Sequence, residues 1–476
     1  MWGAAGTGFA PDIREGVQPI LSTAKCDDAS RDSTEVMLPL PGGPASSWSL
    51  FRQRLAGKLD GVNWGVAVSF WLFGLINNVL YVILLSAALD LVGPNIPKGT
   101  VLLADVIPSF FVKLTAPYYI HLIPYSTRIW LFCALSAVGM LVVGASSNAT
   151  DAGSISAKMA GVVLASLSSG GGELTFLGLV HHYGHTALAA WGSGTGGAGL
   201  IGAGAYALLT TTFRLSVRAT LLASAGLPLI MLFNFFVLLP HAPLKLARKE
   251  ELAAHAVAND DDATSPETAG LLSQSGSNHT AVSSTKSSRA LRSLKTNLLR
   301  ARKLVIPYML PLFLVYVAEY TINQGVAPTL LFPLLETPFS NYRAFYPTYA
   351  AIYQLGVFIS RSSLPFIRVR TLYAPSILQI LNLVLLSTHA VTPFIPSVYI
   401  VFLVIFWEGL LGGLVYVSTF AAIRQEVPEE DREFSLGATT VSDSGGICVA
   451  GFLSIGMEKA LCGWQVRHGR DWCERL

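Results

Sequence analysis

Residues 64–89 read WGVAVSFWLFGLINNVLYVILLSAAL, a run with no charged side chain and with two adjacent amides, Asn77 and Asn78, at its centre. A bilayer crossing needs about 20 mainly apolar residues, so this stretch reads as a transmembrane helix whose amides face something other than lipid. Ten more candidates follow, at 101–122, 129–144, 155–180, 187–213, 219–239, 304–332, 346–359, 373–386, 398–422 and 436–460. The chain reads as an all-α polytopic membrane protein of about eleven crossings. Those at 346–359 and 436–460 are weakly apolar and rich in Ser, Thr, Gly and Tyr, a composition that suits helices enclosed by other helices.

Composition agrees. Of 476 residues, 52% are hydrophobic and 13% charged, against about 25% charged in an ordinary soluble domain. A net charge of +3 and the lack of any basic–aromatic groove argue against a nucleic-acid partner; the partners expected are membrane lipid and a small polar solute. The five cysteines form no C-x-x-C pair, so no metal or redox cofactor is expected. Cys462 and Cys473 would pair if the C-terminus were lumenal, but they read as unpaired thiols.

The organisation expected is a disordered cytosolic tail (1–60), a six-helix bundle (61–240), a cytosolic loop (241–303), a five-helix bundle (304–460) and a C-terminal tail (461–476). Arg52, Arg54 and Lys58 before the first crossing put the N-terminus in the cytosol. Arg128, Arg361, Arg368, Arg370, Arg424 and Arg432 then fall on the cytosolic side, with Arg214, Arg218 and Arg343 as exceptions. An odd number of crossings makes the C-terminus lumenal, and the sequon at Asn148 becomes a lumenal glycosylation site. In the central loop, residues 260–288 lack aromatic side chains and read as disordered. Leu291, Leu294 and Leu298 then share one helical face amid Arg289, Arg292, Lys295 and Arg300. That reads either as a basic amphipathic helix on the inner leaflet or as a solvated helix running into the next crossing. Glu267, Leu271 and Leu272 form an acidic dileucine pattern suited to a sorting adaptor.

The polar residues inside the crossings carry the chemistry. A charge in hydrocarbon costs roughly 2.5–3.5 kcal/mol on insertion scales, so it faces a polar interior and marks a solute or proton path. In the second crossing, Asp105 and Lys113 flank Pro108, and Pro117 follows. Two prolines free backbone carbonyls, and the two charges are either a neutralising pair or direct ligand contacts. In the fourth, Gly170-Gly171-Gly172 precedes Glu173. The glycines admit a neighbouring helix or a ligand, and Glu173 is a proton carrier or a hydrogen-bond hub. In the fifth, residues 191–199 contain G-x-G-x-x-G outside any strand–helix context, so Gly192 and Gly196 read as helix-packing positions rather than a nucleotide site. Glu319 and Asn323 lie in the seventh crossing, Glu408 and Tyr416 in the tenth. Amides in the first and seventh crossings, and glycine runs with one Glu in the fourth and tenth, give the halves the weak echo of repeat-built transporters. His181, His182 and His185 read as an exposed loop cluster rather than a metal site.

These runs, 77–88, 102–117, 168–177, 191–199, 319–325, 356–363 and 408–416, with Arg432-Glu433-Phe434 and Ser442-Asp443, resemble the battenin family, that of the protein affected in juvenile Batten disease and its fungal vacuolar relatives. The similarity spans about 64–460 apart from the central loop, and the long tail and loop suggest a fungal-type member. The resemblance implies a vacuolar or lysosomal membrane protein with a major-facilitator-like fold in two bundles, whose first, fourth, seventh and tenth crossings line a cavity. It also implies a link to vacuolar pH control, basic amino acid transport or glycerophosphodiester export. The ending Cys473-Glu474-Arg475-Leu476 has only the outline of a prenylation box and is not expected to be lipidated.

The expectation is a non-enzymatic carrier using alternating access and no cofactor. Asn77, Asn78, Lys113, Glu173, Glu319, Asn323, Gln354, Glu408 and Tyr416 would form its cavity, and Glu173 or Glu319 would couple solute movement to protons. The alternative is a non-transporting organiser that recruits trafficking or proton-pump partners and alters vacuolar pH indirectly.

Overall fold

The computed structural model describes residues 62–87, 98–146, 152–247, 249 and 295–475. The sequon at Asn148, the dileucine pattern of Glu267, Leu271 and Leu272, and residues 1–61 and 250–294 lie outside the described residues. No β-strand occurs among those that are described. The helices are α1 (Trp64–Ser86), α2 (Lys98–Thr115), α3 (Tyr125–Ala145), α4 (Ala152–Ala207), α5 (Val217–Leu238), α6 (Lys295–Thr329), α7 (Phe345–Ser362), α8 (Tyr373–Val391), α9 (Val398–Glu426), α10 (Glu429–Thr439) and α11 (Val441–Arg467). Within the described residues the eleven apolar stretches fall mainly on helix, the seventh ending at Thr329. Eight of the described helical segments are long and apolar enough to cross a bilayer; α2 and α7 are too polar to count among them.

Starts and bends follow local chemistry. The Asn63 side chain caps α1 by accepting from the Val66 amide at 3.3 Å, and Ser216 and Ser397 cap α5 and α9. The fourth and fifth stretches form one long helix, broken only at Gly184, whose φ of 86° is open to glycine at little cost. Pro108 interrupts the ladder of α2, and the Ser166 hydroxyl of α4 fills the gap. It accepts from the Ser109 amide at 3.0 Å and donates to the Asp105 carbonyl. Ser166 is thus inserted between the Ser109 amide and the Asp105 carbonyl, the pair next to Pro108, and a neighbouring helix satisfies both groups.

Helices α1–α5 pack chiefly on one another around α4, and α6–α9 with α11 form a second group. Contacts of α2 with α11 and of α4 with α7 and α10 join the two. Large apolar side chains such as Phe111, Trp130, Leu229, Leu381, Leu403 and Phe452 point outward, while Lys113, Glu173, Glu319, Glu408 and Asp443 are buried. This inverts the pattern of a soluble protein, as lipid solvent demands. The expectation that both weakly apolar crossings are enclosed fails for each: Leu355 and Ile359 of α7 are exposed, as are Val449, Phe452 and Leu453 of α11. Small residues there serve one face only, with Gly446 against Phe313 and Tyr316 of α6.

The reading of Cys462 and Cys473 as unpaired is corrected: they form a disulfide. Gln465 and Arg470 donate to backbone carbonyls of Thr329, Ala390 and Val391 at the ends of α6 and α8. This folds the C-terminal segment back and brings the two sulfurs together. A sulfur held in a disulfide is also unavailable for prenylation.

Helix α4 owes its many neighbours to glycine. A Cβ on Gly194 would strike the Trp71 carbonyl of α1, and one on Gly74 would lie 2.6 Å from the Trp191 carbonyl. Gly192 and Gly196 meet Val417 and Arg361, so the packing reading of this run holds. Gly194→Ala should lower the thermal midpoint, since overpacking costs about 1–3 kcal/mol. Gly204→Ala, which meets open space, should leave it unchanged. Equal midpoints for the two variants in a fluorescence melt would refute the close-approach account.

Candidate functional site

A cavity of about 800 Å³, its open mouth included, lies between the two helix groups. The polar walls come from α1 (Asn78, Tyr81), α2 (Asp105, Ser109, Lys113), α4 (Glu173, Thr195), α6 (Tyr316, Tyr320), α7 (Tyr353, Gln354, Arg361), α9 (Tyr416) and α11 (Asp443). The Gly170–Gly172 run explains how Glu173 reaches it. A Cβ on Gly170 would meet the backbone of Ser109 at 2.9 Å, one on Gly171 the Phe132 ring, and one on Gly172 the Asn77 amide. The glycines admit three neighbouring helices, and the next residue turns toward the cavity.

At the cavity wall Lys113 Nζ donates to Glu173 Oε2 at 2.6 Å and to Asp443 Oδ1 at 3.1 Å. One ammonium thus sits between carboxylates from opposite helix groups, with all three residues buried. Tyr416 donates its hydroxyl to Glu173 Oε1 at 2.7 Å and accepts from Trp191 Nε1 at 3.1 Å. The Arg361 guanidinium lies 4.2 Å from the Tyr416 ring centroid, and donates to Thr195 Oγ1 and the Tyr316 hydroxyl at 2.9 Å each. Cation–π and hydroxyl contacts hold it, and among the described residues no carboxylate hydrogen-bonds it.

A second polar cluster lies behind this wall. Tyr353 donates to Glu319 Oε1, and Asn323 Nδ2 donates to Glu408 Oε1 at 3.3 Å and to the Glu319 carbonyl at 3.1 Å. The remaining oxygens, Glu319 Oε2 and Glu408 Oε2, are buried without a hydrogen-bond partner. Tyr353 bridges the layers, since it lines the cavity and bonds Glu319.

Of the residues expected in the cavity, Asn78, Lys113, Glu173, Gln354 and Tyr416 border it. Asn77 donates to the Ser169 carbonyl at 3.1 Å beside a smaller pocket. Glu319, Asn323 and Glu408 form the rear cluster. Asp105 and Lys113 do not pair: Lys113 turns to Glu173 and Asp443, and the Asp105 carboxylate has no hydrogen-bond or ion-pair partner among the described residues. Arg361, read from the sequence as a cytosolic marker, is instead a cavity residue. Asp443 was missed as a site residue because it stands at the N-terminal end of its helix, where a polar residue reads as a boundary. The three histidines are not in a loop; they sit half-buried within α4 beside its break.

The sequence profile of the CLN3 protein family matches residues 68–464. The chain belongs to this family, that of battenin. It is 61% identical over 462 residues to protein btn1 of Aspergillus fumigatus, covering 94% of this chain and 99% of that one. Protein btn-1 of Neurospora crassa is 60% identical over 459 residues, covering 93% and 98%. Among solved structures the chain is similar to the human organic anion transporter MFSD10 (TETRAN), with a TM-score of 0.53 and 13% identity over 86% of this chain and 95% of that one. At that identity the likeness carries the fold alone, an all-α membrane fold of the major-facilitator type.

The triad sets a stability test. Lys113→Met leaves two buried carboxylates without their cation, and breaking a buried pair costs about 3–5 kcal/mol. Adding Asp443→Asn should recover part of that loss. A double variant no more stable than Lys113→Met, in detergent melts, would show that Asp443 does not depend on the ammonium.

Proposed function

We propose that this CLN3-family protein is a carrier of the vacuolar or lysosomal membrane, moving a small polar solute by alternating access and taking part in vacuolar pH homeostasis. The observation that carries the reading is the Lys113–Glu173–Asp443 cluster, which ties α2 and α4 of one helix group to α11 of the other at the cavity wall. In the proposed cycle the bundles 61–240 and 304–460 rock about this contact. A proton arriving on Glu173 or Asp443 removes one negative charge, weakens the hold on Lys113 and lets the bundles part. Glu319, linked to the cavity through Tyr353, is the second candidate proton carrier.

The cavity has an anion-seeking and a cation-seeking pole. Arg361 would take the phosphate of a glycerophosphodiester or the carboxylate of an amino acid, and Asp105 would take the cationic end of a basic amino acid. The disulfide at the far end of α11 from Asp443 suits an oxidising lumen, which supports a lumenal C-terminus and a cytosolic position for the Gly184 end. Sorting adaptors acting on the central loop fit the same placement.

The deciding experiment is flux in proteoliposomes under an imposed pH gradient, with basic amino acids and glycerophosphodiesters as solutes. Flux should follow the gradient in the intact protein and lose that dependence in Glu173→Gln. Arg361→Gln should cut flux by about tenfold or more, the loss expected when a charged hydrogen-bonding partner is removed. Gradient-dependent flux in Glu173→Gln would remove the coupling role, and no flux of any solute from folded protein would favour the organiser.

A further inference from the structure

The second concentration of charge lies at the Gly184 end, away from the cavity. There α4 breaks, and the Arg424 guanidinium of α9 fills the notch, 3.2 Å from where a Gly184 Cβ would stand. Arg368, from the α7–α8 connection, hydrogen-bonds His185 Nε2 beside the same notch, Arg432 of α10 donates to the Val427 carbonyl at 3.4 Å, and both lie near enough to Arg424 to repel it. Three like charges thus converge, and the neighbouring carboxylates are engaged elsewhere. Glu433 accepts from the Tyr125 hydroxyl at 2.5 Å, Glu426 from Tyr308 at 2.5 Å, and Asp431 pairs with Arg300 at 2.9 Å. Glu433 also lies 3.9 Å from His182, and Glu429 and Glu433 face His181. Among the described residues no carboxylate forms an ion pair with Arg368, Arg424 or Arg432.

The Nε atoms of Arg424 and Arg432 and the Nδ1 of His181 are buried with no hydrogen-bond partner. Buried donors are normally satisfied, and three mutually repelling guanidiniums are costly unless an anion sits among them. The second arm of α4 starts at the same notch, and its positive dipole end adds to the field. Planar guanidiniums from three separate elements match the oxygens of a tetrahedral oxyanion.

We propose that this notch binds a phosphate group, and that the bound phosphate clamps the ends of α4, α9 and α10 and the α7–α8 connection together, keeping the Gly184 end shut. The group comes either from free phosphate or from a phosphorylated lipid headgroup; the chemistry of recognition is shared. The inference does not depend on the transport reading, because its test measures binding and stability rather than flux.

The test uses the full chain in detergent with potassium phosphate against potassium chloride at equal ionic strength. A second arm uses lipid nanodiscs with and without phosphatidylinositol phosphate. The expected result is a raised thermal midpoint in at least one arm, with apparent affinity weakened about tenfold or more in Arg424→Gln and in Arg368→Gln. A response to potassium phosphate identifies a free-anion site, and a response to the nanodisc lipid alone identifies a headgroup site. Arg368 is exposed in a connection, so Arg368→Gln decides the matter if Arg424→Gln fails to fold. No shift in either arm, or equal shifts in wild type and Arg368→Gln, overturns the proposal.

Discussion

The arrangement of the whole interior depends on one ammonium. Lys113 is buried in the middle of a membrane fold, where a cation without partners is untenable. Its two carboxylate partners come from helices far apart in sequence, Glu173 in α4 and Asp443 in α11. Satisfying one charge therefore fixes the approach of the two helix groups at that depth. Tyr416 extends the constraint, because its hydroxyl holds the second oxygen of Glu173 while its ring supports Arg361. Such a contact is strong when its geometry is complete and costly when any member is lost. The contact between the helix groups is therefore sensitive to the charge of every member.

Close approach makes this electrostatics possible. The Gly170–Gly172 run removes side chains where α1, α2 and α3 press on α4, and leaves Glu173 as the group that emerges. Ser166, one turn earlier, bridges the Ser109 amide and the Asp105 carbonyl beside Pro108 in α2. The prolines, glycines and serines of these crossings are thus one device: helix irregularity on one side matched by a small or hydroxylated residue on the other. Burial of Lys113, Glu173 and Asp443 lowers the dielectric around their contact, and the interactions inside it gain strength from that.

Much of this was legible in the sequence, and for identifiable reasons. The apolar runs gave the helices, since twenty uncharged residues have few alternatives. Asn78, Glu173 and Tyr416 stood out because a lone polar group in such a run needs a destination. Asp443 and Arg361 did not stand out, because each lies near a helix end, where charge is expected from topology alone. Only tertiary contact shows that these side chains border the cavity. Spacing along α2 also left a choice. Asp105 and Lys113, eight residues apart across Pro108, left pairing open, but Lys113 is drawn to two carboxylates at once, which local geometry cannot reveal. The pairing of Cys462 with Cys473 was open in the sequence but not decided there, because Arg470 and Gln465 latch the tail to α6 and α8.

The faint echo between the halves of the sequence has a physical counterpart. In the first half the Asn77 amide of α1 occupies the space left by Gly172 of α4; in the second, the Glu319 carboxylate of α6 occupies the space left by Gly412 of α9. Each half thus sets a polar side chain of its first helix against a glycine of its fourth crossing. The correspondence stops at the carboxylates. Glu173 follows its glycines and reaches the cavity, whereas Glu408 stands one turn before Gly412 and is held by Asn323 behind Tyr353. One half therefore contributes an acid that meets the solute space directly, and the other keeps two acids a layer back, linked to it by a single tyrosine hydroxyl. The glycines of the two halves play matching parts, and this displacement of one helical turn sets where each carboxylate lies.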